Sequence, residues 1–148
     1  SMKEQEREEF LQEFEQNQES LVAFCIMGGI FSEGIDLLGE KLIGAILVGT
    51  GLPQLGNERE ILRSFYTENG ENGFDYAYRY PGMNKVLQAA GREDHGVILL
   101  LDERFRQREY SNLFPVEWND RKTCTLSNVE AQLQKFWESI PDKISHKL

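Results

Sequence analysis

Three short apolar runs constrain the fold of this chain more than any other feature. "LVAFCIM" (residues 21–27), "LIGAILVG" (42–49) and "GVILLLD" (96–102) are continuous in apolar character, without the alternation of a strand that buries one face. Each is short for a helix and is bounded by glycine or charge. Runs of this kind suit strands buried on both faces, which belong to parallel sheets covered by helices. The fold class expected is therefore α/β.

The segments between the runs supply helices. Residues 3–17, "KEQEREEFLQEFEQN", carry Phe10, Leu11 and Phe14 on one side of a charged stretch, the spacing of an amphipathic helix. Asn57 followed by Glu60 resembles a capping box opening "EREILRSFY". A further helix is predicted over Met83 to Gly91 with Pro81 marking its start, so that Met83, Val86, Leu87 and Ala90 face the sheet while Lys85, Gln88 and Arg92 share another face. Ser127 with Glu130 caps a last helix, whose Val129, Leu133, Phe136 and Trp137 form an apolar stripe.

The 148 residues make one ordinary domain, with the 40% hydrophobic and 28% charged residues of a globular protein. Ser1 before Met2 reads as a tag remnant, which marks the chain as a piece of something longer. The net charge of −9 disfavours tight nucleic-acid binding at long range. That excess is uneven, however: residues 1–19 hold −5 of it, so a local basic groove is compatible with the remainder. Cys25 and Cys124 are far apart and show no metal-ligand spacing. Cys25, inside an apolar run, is read as a buried thiol, and a reducing, cytoplasmic setting fits. No run approaches the roughly 20 apolar residues of a membrane span, so no membrane partner is expected.

Ligands in open α/β sheets tend to bind outside the carboxyl ends of the strands. The loop "GGIFSEGIDLLGE" (28–40) follows the first run, and its glycines allow close backbone approach while Ser32, Glu33 and Asp36 add polar groups. A tight strand-to-helix connection with capping polars explains the same residues. The loop matches neither GxGxxG nor GxxxxGK[ST], so no triphosphate cradle is encoded there. "GTGLPQLG" (49–56) is a second candidate turn, with Thr50 as a hydroxyl donor, although ordinary turn chemistry accounts for it equally. "YRYPGMNK" (78–85) places aromatic rings beside Arg79 and Lys85, a combination that stacks bases and contacts phosphate, while tyrosines packing a helix onto a core explain the rings too. Asp102, Glu103 and Arg104 read as a cap with a local ion pair. Neither histidine has a partner at metal-ligand spacing, and no nucleophile–base set assembles.

Taken in order, "GGIFSEGIDLLGEKLIGAILVGTGLPQ", "FDYAYRYPGMNKVLQAAGR" and "GVILLLDERFRQREYSNLFPVEW" resemble the C-terminal RecA-like domain of DinG/XPD-type superfamily 2 DNA helicases over nearly the whole chain. The resemblance implies a RecA-like parallel sheet flanked by helices, with the opening strand and helix of the lobe lying upstream. It makes "SEGID" motif V and "QAAGR" the start of motif VI. Gly29, Ser32 and Glu33 would then serve the nucleic-acid track, while Gly34 and Asp36 couple that track to the nucleotide. Gln88 would approach ATP, and Arg92 would act as an arginine finger toward ATP and Mg²⁺ held mainly by an N-terminal lobe in cis. A guanidinium reaching across a cleft neutralises charge that develops on a transferring phosphoryl group.

The phosphate loop, the acidic Walker B or DEAH-like motif and the iron–sulfur cysteines of many relatives belong to that first lobe, and none occurs in these residues. The chain alone is therefore expected neither to hydrolyse ATP nor to unwind DNA. The family pattern QxxGRxxR also departs here, because the position three past Arg92 is His95. That departure keeps a second reading open, a degenerate, non-catalytic lobe that docks a protein partner through its acidic N-terminal helix.

Overall fold

In a computed structural model the fold is described for residues 4–16, 20–29, 42–90 and 96–140. Helix α1 spans Glu4–Gln16. Strand β1, Gly44–Val48, is followed by α2, Asn57–Glu68, a π-helical turn, Asp75–Arg79, and α3, Tyr80–Ala90. Strand β2 is Val97–Leu101, after which come two short 3-10 turns, Glu103–Arg106 and Val116–Trp118, around α4, Arg108–Ser111. Helix α5, Val129–Ser139, follows. None of the described helices is long and apolar enough to cross a membrane.

The two strands pair in parallel, from Gly44 opposite Val97 to Val48 opposite Leu101, with α2 and α3 in the crossover between them. This is the α/β arrangement expected. Helix α3 covers one face of the pair: Met83, Val86 and Ala90 pack with Leu47, Phe105 and Tyr110, while Ile98 and Leu100 close around them. Fully burying a side chain such as Met83 or Val86 contributes roughly 1.5–3 kcal/mol each. The predicted helix face is borne out in Met83, Val86 and Ala90, with Leu87 half-buried and Gln88 exposed.

Three expectations are corrected. The first apolar run is not a strand among the described residues; its backbone is irregular up to a turn at Met27, and Phe24 is 95% exposed. Cys25 is likewise exposed, not buried. A continuous apolar run has no period of its own, so only a partner ladder makes it a strand, and no described strand pairs with it. The sheet is also covered on one face only among the described residues: Ile46, Val48 and Leu101, which alternate with the buried positions, are 62%, 70% and 54% exposed.

The helix starts differ as well. Helix α2 begins after Gly56 with no side-chain cap, and Glu60 spends its carboxylate on the Tyr78 hydroxyl instead of on a capping box. Helix α5 starts after Asn128 without a side-chain cap; Ser127 hydrogen-bonds Thr125 at 2.8 Å, so it is not the cap of Glu130. Pro81 stands second in α3, marking its start as expected, but the helix is entered through the π turn and not from a loop.

Candidate functional site

The carboxyl end of β1 opens into a turn whose shape depends on glycine. Gly49 donates its N–H to the Leu101 carbonyl at 3.2 Å, which ties the exit of β1 to the exit of β2. Gly51 has φ +63°, a left-handed conformation that side-chain-bearing residues adopt at a cost. A Cβ on Gly51 would lie 2.8 Å from the Gly82 carbonyl oxygen and 2.9 Å from Met27 Sδ. Gly82 meets the turn in return, since its own Cβ would stand 2.6 Å from the Thr50 carbonyl oxygen. Helix α3 therefore crosses the strand-end turn backbone against backbone. Between the two glycines of the turn Thr50 is 1% exposed, and its hydroxyl has no hydrogen-bond partner among the described residues.

A third segment closes the site. Gly28, at φ +80°, lies under the Lys85 side chain so closely that a Cβ would stand 2.9–3.1 Å from Lys85 Cδ, Cε and Nζ. Gly29 turns the chain by donating to the Ile26 carbonyl at 2.9 Å. Met27–Gly29, the turn around Thr50 and the α3 segment from Gly82 to Lys85 thus form one cluster. It sets the Lys85 ammonium group over the half-exposed main chain at Gly28. Gln88 stands one helical turn beyond Lys85 and is exposed.

Of the residues singled out by sequence, Gly29 and Lys85 are brought together here, and Gln88 shares their helix. Ser32, Glu33, Gly34, Asp36 and Arg92 lie outside the described residues. Arg79 sits apart from the cluster. Its guanidinium pairs with Asp75, lies 5.0 Å over the Tyr110 ring and 5.5 Å over Phe74, and its side chain is only 14% exposed. Arg79 is therefore occupied inside the fold, whereas Lys85 lies in the cluster over Gly28. Tyr78 is likewise a packing residue, buried with its hydroxyl on Glu60.

Past β2, the Asp102 carboxylate caps the first 3-10 turn, accepting from the Arg104 N–H at 2.9 Å and from the Arg104 guanidinium at 2.9 and 2.6 Å. The Arg104 hydrogen bond holds the Asp102 carboxyl below its ordinary value of 3.8. The charged cluster is thus a cap with a local ion pair, as expected. Sequence reasoning missed the paired close approach of Gly51 and Gly82. The available signal was a glycine inside a helical pattern immediately after a proline, which marks close backbone packing.

The model of the helicase C-terminal domain family matches residues 1–121. A regulator of telomere elongation helicase 1 homolog from Caenorhabditis briggsae is 27% identical over 136 residues, covering 80% of this chain and 13% of that protein. The homolog from Caenorhabditis elegans is 28% identical over 130 residues, covering 78% of this chain and again 13% of that protein. The chain thus spans a small part of the length of the curated relatives it matches.

Proposed function

The chain belongs to the helicase C-terminal domain family, and from that premise we propose that it is the second RecA-like lobe of an ATP-dependent DNA helicase of DinG/XPD type. In this reading the lobe supplies motif V, with Gly29, Ser32 and Glu33 on the single-stranded DNA side and Gly34 and Asp36 toward the nucleotide. It supplies motif VI through Gln88 and Arg92. ATP with Mg²⁺, held mainly by a first lobe in cis, supplies the phosphoryl group that is transferred to water.

The observation that carries the reading is the seat of Lys85 on Gly28. It joins the chain entering motif V to the helix that leads into motif VI, so a shift at one end is felt at the other. Lys85 contributes a cation for the DNA backbone, and a lysine does so as a point charge without needing a fixed geometry. Gln88, exposed on the same helix, fits a residue that meets a nucleotide only when two lobes close. Arg92 four positions on would neutralise the charge that develops on the phosphoryl oxygens. Closure around the nucleotide, coupled to a changed grip on DNA, would turn hydrolysis into stepping along a strand.

The test compares the full-length protein with this chain alone in ATP hydrolysis and duplex unwinding. DNA-stimulated hydrolysis by the full-length protein, with neither activity in the isolated chain, is expected. A full-length protein that hydrolyses no ATP overturns the reading and leaves the non-catalytic interaction module in its place.

A further inference from the structure

The helix that carries Gln88 has an irregular start. Across Asp75–Arg79 the main chain adopts a π turn, and the Tyr80 N–H reaches back five residues to the Asp75 carbonyl. Pro81 follows at once. With no N–H, Pro81 cannot return a hydrogen bond to the Ala77 carbonyl, its acceptor four residues back in an α-helix. Ala77 is fully buried, and a buried carbonyl left without a donor is destabilising.

That donor comes from another helix. Arg59 Nη1 of α2 donates to the Ala77 carbonyl at 3.3 Å. The next residue of α2, Glu60, accepts from the Tyr78 hydroxyl at 2.5 Å, and Tyr78 is 2% exposed. This hydrogen bond is the chief reason the Tyr78 hydroxyl is held above its ordinary value of 10.0, so it stays a donor. Two adjacent residues of α2 thus grip two adjacent residues of the π turn. On the far side Arg79 pairs with Asp75, which closes the turn on itself.

The consequence is one of register. Inserting one residue into a helix rotates everything beyond it by about 100°. A π turn held in place therefore decides which face of α3 carries Lys85 and Gln88, whereas a regular α-turn across the same residues would swing them away. We infer that Arg59 and Glu60 are positioning residues: they latch the π turn so that α3 presents Lys85 and Gln88 in a single register. The inference rests on the helicase reading for its catalytic consequence and on the Arg59–Ala77 and Glu60–Tyr78 contacts for its structural one.

The experiment has two arms, using Arg59→Met, which keeps the stem and loses the donor, Arg59→Lys, which restores a donor, and Tyr78→Phe, which removes one hydroxyl. In this chain, amide hydrogen exchange over Met83–Ala90 should quicken on the order of tenfold in Arg59→Met, the worth of one charge-assisted hydrogen bond, with α5 unaffected. Arg59→Lys should recover most of the protection, and Tyr78→Phe, which removes the hydrogen bond to the Glu60 carboxylate, should show a loss on the order of tenfold as well. Unchanged exchange over α3, or equal quickening in α5, overturns the latch. In the full-length protein Arg59→Met should lower kcat for DNA-stimulated ATP hydrolysis on the order of tenfold, with KM for ATP moving less than about twofold and with recovery in Arg59→Lys. Unchanged kcat overturns the positioning role. If the parent protein hydrolyses no ATP, the helicase reading fails by itself and the exchange arm alone decides the latch.

Discussion

Gly73 meets the main chain of α2 at Arg63, where a Cβ on the glycine would lie 2.0 Å from the Arg63 carbonyl oxygen and 2.4 Å from Thr67 Oγ1. The carbonyl belongs to a helix backbone and Thr67 Oγ1 already donates to it at 2.8 Å, so neither atom is free to yield. The approach seats the start of the π turn against α2 and allows Arg59 and Glu60 to reach it.

Gly73→Ala should therefore act as overpacking and lower stability by roughly 1–3 kcal/mol or more. Thermal melting of the chain measures it. A variant that melts within about a degree of the parent, well under the shift of about 2–4 °C expected for each kcal/mol in a domain of this size, contradicts the close approach.

Arg79 and Asp75 form an ion pair whose side chains are 14% and 15% exposed. Removing one partner strands the other charge, and such losses run to roughly 3–5 kcal/mol when the pair is buried. Asp75→Ala should approach the lower end of that range, and the double change Asp75→Ala with Arg79→Met should recover a substantial part. Urea midpoints of the parent, single and double variants test this, and a double variant no better than the single contradicts it.

Much of this fold is legible in the residues, and the exceptions share a cause. Met83, Val86 and Ala90 announce their buried face by helical spacing, and Asp102 with Arg104 announces a cap by proximity in the chain. Pro81 marks the start of α3 correctly but hides the π turn before it, because the Ala77 carbonyl it releases is satisfied by Arg59, eighteen residues away. Glu60 misleads, since Tyr78 takes its carboxylate before any cap can. The run from Leu21 to Met27 carries hydrophobicity without period, so strand and irregular chain look alike in it. Gly28 and Lys85 are visible as candidates, but their contact is a long-range fact of packing.

The Asp102 carboxyl titrates below its ordinary 3.8 because of Arg104. A folded-state value lower than the unfolded one adds stability that is fully present above the unfolded value and is lost as pH falls through the folded one. Parent protein should therefore melt above Asp102→Asn at neutral pH, and the two should converge below 3.8. Arg104 is 38% exposed, so solvent screening holds the gap to under about 1 kcal/mol. Melting curves between neutral and acid pH test the sign, and a gap that persists unchanged into strong acid contradicts it.

Lys85 is expected to contact a DNA phosphate. In the full-length protein Lys85→Met should weaken single-stranded DNA binding evenly across sequences and reduce the slope of log affinity against log salt by about 0.7. Gly28→Ala should reproduce part of the loss by displacing the lysine. Salt titrations of binding to two unrelated oligonucleotides measure both, and an unchanged slope in Lys85→Met removes the lysine from the DNA track.

ATP hydrolysis by the full-length protein carrying Arg92→Ala bears most directly on whether this chain is the finger-bearing lobe of a helicase. An arginine finger is worth ~10³ to 10⁵ in rate in well-studied nucleotidases, so turnover should collapse by at least the lower figure while affinity for single-stranded DNA changes little. Turnover equal to that of the parent would contradict the assignment of Arg92 and, with it, the role given to the helix that leads to it.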